Sequence, residues 1–193
     1  MPKMRSKISY LTSLFFFEHT KKIKMVKPLE EVLAYQNGNI LHRFKQASPW
    51  FQGTDADAEL IFEDLKRFLW LYATIEEKRR NNPELDLPDI SIANAMAVID
   101  EMWHAFILYT DLYIKFCDEY LGAFMHHPVP CKKFVANIKE MGFEAANELF
   151  VSEMVECIYE YFGEEIAIRW FDGYFKFSPP EDSGASEHHV TVV

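Results

Sequence analysis

Apolar residues return every three or four positions through most of this chain, and no stretch of useful length alternates with the period of two that a half-buried strand requires. Ile61, Leu65, Phe68 and Tyr72 form one such stripe, and Thr54 or Asp55 can cap its start, which predicts a long core helix ending near Arg80. Met96, Ile99, Trp103 and Phe106 or Ile107 form a second stripe, in a helix that begins around Ile92 with Ser91 as its N-cap. Val151, Val155, Ile158 and Phe162 form a third, on a long helix that stops at Gly163.

Shorter elements fill the gaps. Pro28 at a first helical position, with Glu30 and Glu31 behind it, predicts a helix over Pro28 to Tyr35, and Asn37-Gly38 reads as its C-cap. A short helix from Ile40 to Gln46 follows, then a turn over Ser48 to Gly53, while the two-proline stretch Asn81 to Asp89 is a surface loop. Thr110-Asp111 caps a partly separate helix running to about Tyr120 before Gly122. Cys131 to Glu140 is a short helix closed by Gly142, and Glu164 to Phe171 a last helical turn. Together these predict an all-α, single-domain irregular helical bundle of about six to seven helices. The helical domain is expected over 25–177, with a peripheral or disordered N-terminal extension at 1–24 and a flexible acidic tail at 178–193.

Composition narrows the partners. Aromatic residues make up 16% of the 193, which implies a ring-rich core. Thirty Asp and Glu against 20 Lys and Arg give a net charge of -10, which repels a phosphate backbone and argues against nucleic acid. Cys117, Cys131 and Cys157 are an odd number without a C-x-x-C pair, so reduced thiols in the cytoplasm are expected. Lys3, Arg5 and Lys7 precede an apolar run over Ile8 to Phe17 that superficially resembles a signal peptide. The run is shorter than the roughly 20 residues of a membrane span. It leads into Glu18 to Lys24 instead of a small-residue cleavage site, so no membrane association is expected and Met25 is an alternative start.

Chemistry concentrates between Asp100 and Pro128. Asp100 and His104 stand one helical turn apart, beside the Ile99 and Trp103 stripe. Cys117 comes 13 residues after His104, with Tyr113 one turn before it, and His126-His127-Pro128 lies past the Gly122 turn where the chain can fold back. Carboxylate, imidazole and thiolate are first-row metal ligands, so Asp100, His104, Cys117 and His127 are the candidate ligands of a zinc or iron site with an open position, Cys117 either as a fourth ligand or as a group behind the other three. The bland reading stands beside it: a helix-surface Asp100–His104 pair, a small buried Cys117, and a His127 that caps a carbonyl. A Cys117–His127 nucleophile pair is a further alternative. His188-His189 falls in the tail, and Glu153, Glu156, Glu160, Glu164 and Glu165 read as a solvated helix face.

The string Ile99 to Thr110, with Tyr113, Phe116-Cys117, Gly122 and His126-His127-Pro128, resembles small bacterial proteins related to the plant glycine-rich-domain-containing protein-like family. The likeness runs from Lys27 to about Tyr174, including Leu29 to Tyr35 and Phe62 to Trp70. It implies that the characteristic aspartate, tryptophan and histidine fall on Asp100, Trp103 and His104, the cysteine on Cys117, the glycine on Gly122 and the second histidine on His127, with His126 more variable. The chain lacks the Gly-rich extension of the plant proteins, so their signalling or nucleic-acid roles do not transfer.

The expectation is a metal-binding helical protein in the cytoplasm, acting as a metal-dependent hydrolase or oxygen-using enzyme on an unidentified small molecule. The alternative is a non-catalytic interaction module that grips a protein partner and keeps a structural Trp103, His104 and His127 cluster.

Overall fold

Helix α1 (Leu29–Leu33) begins at Pro28 and lasts little more than one turn. Its C-terminal end is tied down by the Lys66 ammonium, which donates to Leu33 O at 2.5 Å and, just past the helix, to Tyr35 O at 2.8 Å. Asn37-Gly38 does not close α1. The Asn37 side chain accepts from the Asn39 amide and opens α2 (Gly38–Ala47), so the pair is an N-terminal signal. Asn and Gly are good residues at both ends of helices, and burial of Ile40 and Phe44 decides between them.

Helix α3 (Asp55–Asn81) starts at Thr54 with a full capping box closed by Asp57. Its 27 residues span about 40 Å. Ile61, Leu65 and Phe68 are buried as the stripe requires, and so are Phe62, Asp64, Lys66, Leu69 and Leu71 on neighbouring faces. A helix covered on several sides is the axis of a bundle. Helices α1 and α2 pack on it, as does α4 (Ala97–Ile107), which also packs on α2.

Helix α4 starts later than Ser91 and Ile92 suggest. Ile90 and Ala93 are buried from an irregular segment, a 3-10 turn follows at Asn94–Met96, and only then does the α-helix begin. Docking of Ile90 and Ala93 onto the core overrides the local capping signal. Helix α5 (Thr110–Phe116) runs into a π turn at Cys117–Leu121 that ends at Gly122 with φ 72. A side chain at Gly122 would be strained in that conformation and would collide with the Lys24 carbonyl. The chain from Lys24 to Lys27 crosses there, tied down by Lys27 N to Tyr120 O at 2.9 Å, by Val26 N to Glu77 Oε1 at 3.2 Å and by the Lys24–Asp118 ion pair at 2.5 Å. The packed chain thus includes Lys24, one residue before the expected domain boundary.

Helix α6 (Lys132–Met141) packs along α7 (Phe143–Phe162), and α8 (Glu164–Ile168) passes into a second π turn at Arg169–Gly173. Helix α7 begins a full two turns before Val151, because Phe143 directly follows the Gly142 break. Trp70 meets Tyr161 and Phe162, joining α7 to α3.

The computed structural model describes residues 24–127 and 132–174. These contain eight α-helices and no strand, an all-α bundle around one aromatic-rich core. No helix among them is long and apolar enough to cross a membrane. The N-terminal extension apart from Lys24, the acidic tail with His188 and His189, and the segment Pro128 to Cys131 lie outside the described residues.

Candidate metal centre

Helix α4 places Asp100 and His104 one turn apart, and their Oδ2 and Nε2 atoms stand 3.8 Å from each other. His127 arrives from the irregular segment after Gly122, and its Nε2 is 2.7 Å from Asp100 Oδ1. The two imidazoles stack with centroids 4.9 Å apart and planes 23° from parallel. Asp100, His104 and His127 each present one ligand atom, and all three atoms lie within 4.8 Å of one another.

The triad sits where the core meets solvent. The side chain of Asp100 is 21% exposed, His104 40% and His127 37%. Beneath it everything is dry: Ile99, Met102, Trp103 and Phe106 on the same helix are fully buried. A rigid apolar floor and an open outer side suit a site that must hold its ligands still while exchanging a small molecule.

Trp103 connects the floor to the site. Its ring lies 4.7 Å from the His127 ring, centroid to centroid, and its Nε1–H donates to the Tyr113 hydroxyl at 3.0 Å. The Tyr113 hydroxyl donates to the Met125 carbonyl at 2.6 Å. Burial pushes the Tyr113 phenol far above its ordinary range, so it remains a protonated donor.

Cys117, the fourth candidate ligand, is not brought into the same cluster as Asp100, His104 and His127. Its side chain is fully buried, its thiol is engaged by the Met125 backbone and Tyr113, and burial pushes its pKa up, away from the thiolate that a metal or a nucleophile needs. Cys117 lies one turn after the buried Tyr113, on the face of the helix that enters the core. The same burial and raised thiol pKa speak against a Cys117–His127 nucleophile pair. The cluster of Trp103, His104 and His127 is likewise not a buried unit, since only Trp103 is buried.

The remaining candidates behave differently. His126 is exposed and meets Phe124 edge-on at 4.8 Å, outside the triad. Glu156, Glu160, Glu164 and Glu165 are exposed, and Glu153 pairs with Lys133 at 3.1 Å. Glu153, Glu156 and Glu160 do line a cleft of about 310 Å³ between α3, the 86–88 loop and α7, with Lys78, Lys133 and Cys157, but none of the triad reaches it. Two polar features escaped sequence reasoning altogether: Asp64 and Lys66, both fully buried on α3. Their only signal was polarity beside the Ile61–Leu65–Phe68 stripe, which on a surface helix would mean solvent.

Residues 30–141 match the family model described as UCP032817-like, more than half of the chain, and the protein belongs to that family. The matched span contains Asp100, His104 and His127 together with the Trp103 and Tyr113 beneath them. No curated protein and no solved structure matches the chain.

Proposed function

We propose that Asp100, His104 and His127 bind one divalent first-row metal ion, zinc or ferrous iron, and that this centre is the functional site of the protein. The observation that carries the reading is the convergence of one carboxylate and two imidazoles within 4.8 Å, from a helix turn and from a segment 23 residues further along. Ligands about 2.1 Å from a tetrahedral ion stand about 3.4 Å apart, so a shift of roughly 1 Å in the side chains suffices to close them on an ion. Two imidazoles and one carboxylate are a donor set shared by hydrolytic zinc sites and by oxygen-using ferrous sites.

Three protein ligands leave an open position. A bound ion supplies Lewis acidity there, lowering the pKa of a coordinated water or polarising a substrate oxygen. The chain's own part is orientation: Asp100 and His104 are fixed by one helix, His127 by the Trp103 stack, and the outer side stays open to a small molecule. The resemblance to bacterial relatives of the glycine-rich-domain-containing proteins supports the same residues, and the acidic charge and unpaired cysteines support a cytoplasmic setting without nucleic acid.

A second reading is favoured by the 2.7 Å contact itself. Asp100 and His127 satisfy each other without an ion, as they would in an interaction module held in shape by a polar clasp. Metal analysis of untagged protein separates the two. The metal reading expects about one equivalent of zinc or iron per chain, lost in Asp100→Asn and in His104→Ala with the helical circular dichroism intact. Metal-free protein that also fails to take up zinc or ferrous iron on titration would favour the clasp.

A further inference from the structure

The third ligand is the one that the helix does not position. Asp100 and His104 share the backbone of α4, whereas the stretch from Ala123 to His127 has no regular secondary structure. Besides the His127–Asp100 contact itself and the Cys117 thiol on the Met125 backbone, it is held by a relay of two buried hydrogen bonds, Trp103 Nε1–H to the Tyr113 hydroxyl and Tyr113 O–H to the Met125 carbonyl, two residues before His127. Trp103, Tyr113 and Met125 are at most 4% exposed, so water does not substitute for either bond. The same Trp103 whose N–H starts the relay carries His127 on its ring face.

We infer that Tyr113 is a positioning residue for His127: through its hydroxyl it fixes the Met125 carbonyl to α4 and so holds the imidazole over Asp100 before any ion arrives. The inference rests on the metal reading of Asp100, His104 and His127. A phenol is suited to the task because it accepts from the indole and donates to the carbonyl with one atom, on a ring that the core already clamps against Phe106 and Phe124. Groups of this kind behind metal ligands change affinity by about 10- to 100-fold when lost.

Full-length protein carrying Tyr113→Phe tests it with zinc alone as the probe, titrated against a chromophoric chelator. The expected result is a 10- to 100-fold weaker zinc affinity, with a helical spectrum like wild type and with wild-type affinity in His126→Ala, a neighbour outside the relay. Replacement of Tyr113 by 4-aminophenylalanine, which keeps an N–H donor at the same place, should restore most of the affinity. Histidine NMR of the zinc-free protein gives a readout that does not depend on the metal. The ring-current shift that Trp103 imposes on His127 should collapse in Tyr113→Phe while His104 keeps its own.

A wild-type measurement removes any dependence on the variant's folding: by reciprocity of coupling, zinc should slow hydrogen exchange at the Trp103 indole N–H. Unchanged zinc affinity in folded Tyr113→Phe, unchanged His127 resonances, or indole exchange indifferent to zinc would each overturn the assignment. If wild type binds no zinc, the metal reading falls, and the His127 resonances alone then decide whether Tyr113 positions that ring.

Discussion

Asp64 and Asp100 are both aspartates on core helices, both within reach of bases from distant parts of the chain, and they are built for opposite purposes. Asp64 is fully buried and takes donors from Arg67 at 2.8 Å, from Arg169 at 2.7 and 2.9 Å, and from the Tyr174 hydroxyl at 2.5 Å. Its partners are permanent cations and a buried phenol, and the carboxylate in turn pushes the Arg169 pKa up. The lone pairs are saturated, so nothing is left to bind a ligand. Asp100 is partly exposed, and its partners are two imidazoles, whose ring nitrogens are ligand atoms for an ion. Identity and helix placement are alike in the two cases. Permanence of charge in the partners and access to solvent make one a clamp and the other a candidate centre.

Mutation should separate them most sharply at Asp64. Asp64→Ala takes the shared buried carboxylate from two mostly covered guanidinium groups, which keep Glu63 and Glu165, and from the Tyr174 hydroxyl, and breaking a buried pair costs about 3–5 kcal/mol. The expected fall in Tm is on the order of 10 °C, read by thermal unfolding, with zinc binding by the surviving protein unchanged. A loss of zinc affinity as large as that in Asp100→Asn would erase the distinction between the two sites.

Lys66 adds a third buried polar group whose cost is pH-dependent. Burial lowers its pKa from 10.5 to about 8, while its two carbonyl partners carry no full charge. Because the folded pKa is the lower one, the unfolded chain binds more protons between pH 8 and 10.5, and stability from this group rises across that window. The full desolvation penalty is present below pH 8. Denaturant unfolding of wild type against Lys66→Met should therefore show wild type gaining about 3 kcal/mol relative to the variant between pH 8 and 10.5. A flat difference would mean that Lys66 is not desolvated.

Gly122→Ala probes the hinge from which the His127 segment departs. The positive φ and the collision with the Lys24 carbonyl should cost about 1–3 kcal/mol in chemical denaturation. Full wild-type stability would show that the 24–27 crossing yields easily. The smallest expected effect on folding is at the candidate centre. Asp100→Asn and His104→Ala remove a partly exposed contact worth about 0–1 kcal/mol, yet each should weaken zinc binding more than tenfold. A variant that unfolds while Asp64→Ala stays folded would reverse the assignment of clamp and site.

The all-α class, the long α3 with its Thr54 cap, and the Asp100–His104 pair were legible because each depends on residues within about one turn of each other. The apolar stripes needed no partner to be read, only period. The convergence of His127 rested on a weaker basis, a glycine turn and a resemblance, and the same argument drew in Cys117, which lies on the buried face one turn after Tyr113.

What the linear chain determined, then, is governed by contacts within about four residues: the helical periods, the Thr54 cap, the glycine stops at Gly122, Gly142 and Gly163, and two ligands on one helical face. What only the tertiary structure decided is governed by contacts across tens of residues. Asn37 opens a helix because Ile40 and Phe44 have a core to enter, and the helix expected at Ile92 waits until Ala97 because Ile90 and Ala93 dock first. Asp64 and Lys66 are interior because α3 is covered on several sides. His127 meets Asp100, 27 residues away in sequence, because a tryptophan, a tyrosine and one backbone carbonyl find each other in a dry interior where an unmade hydrogen bond is costly.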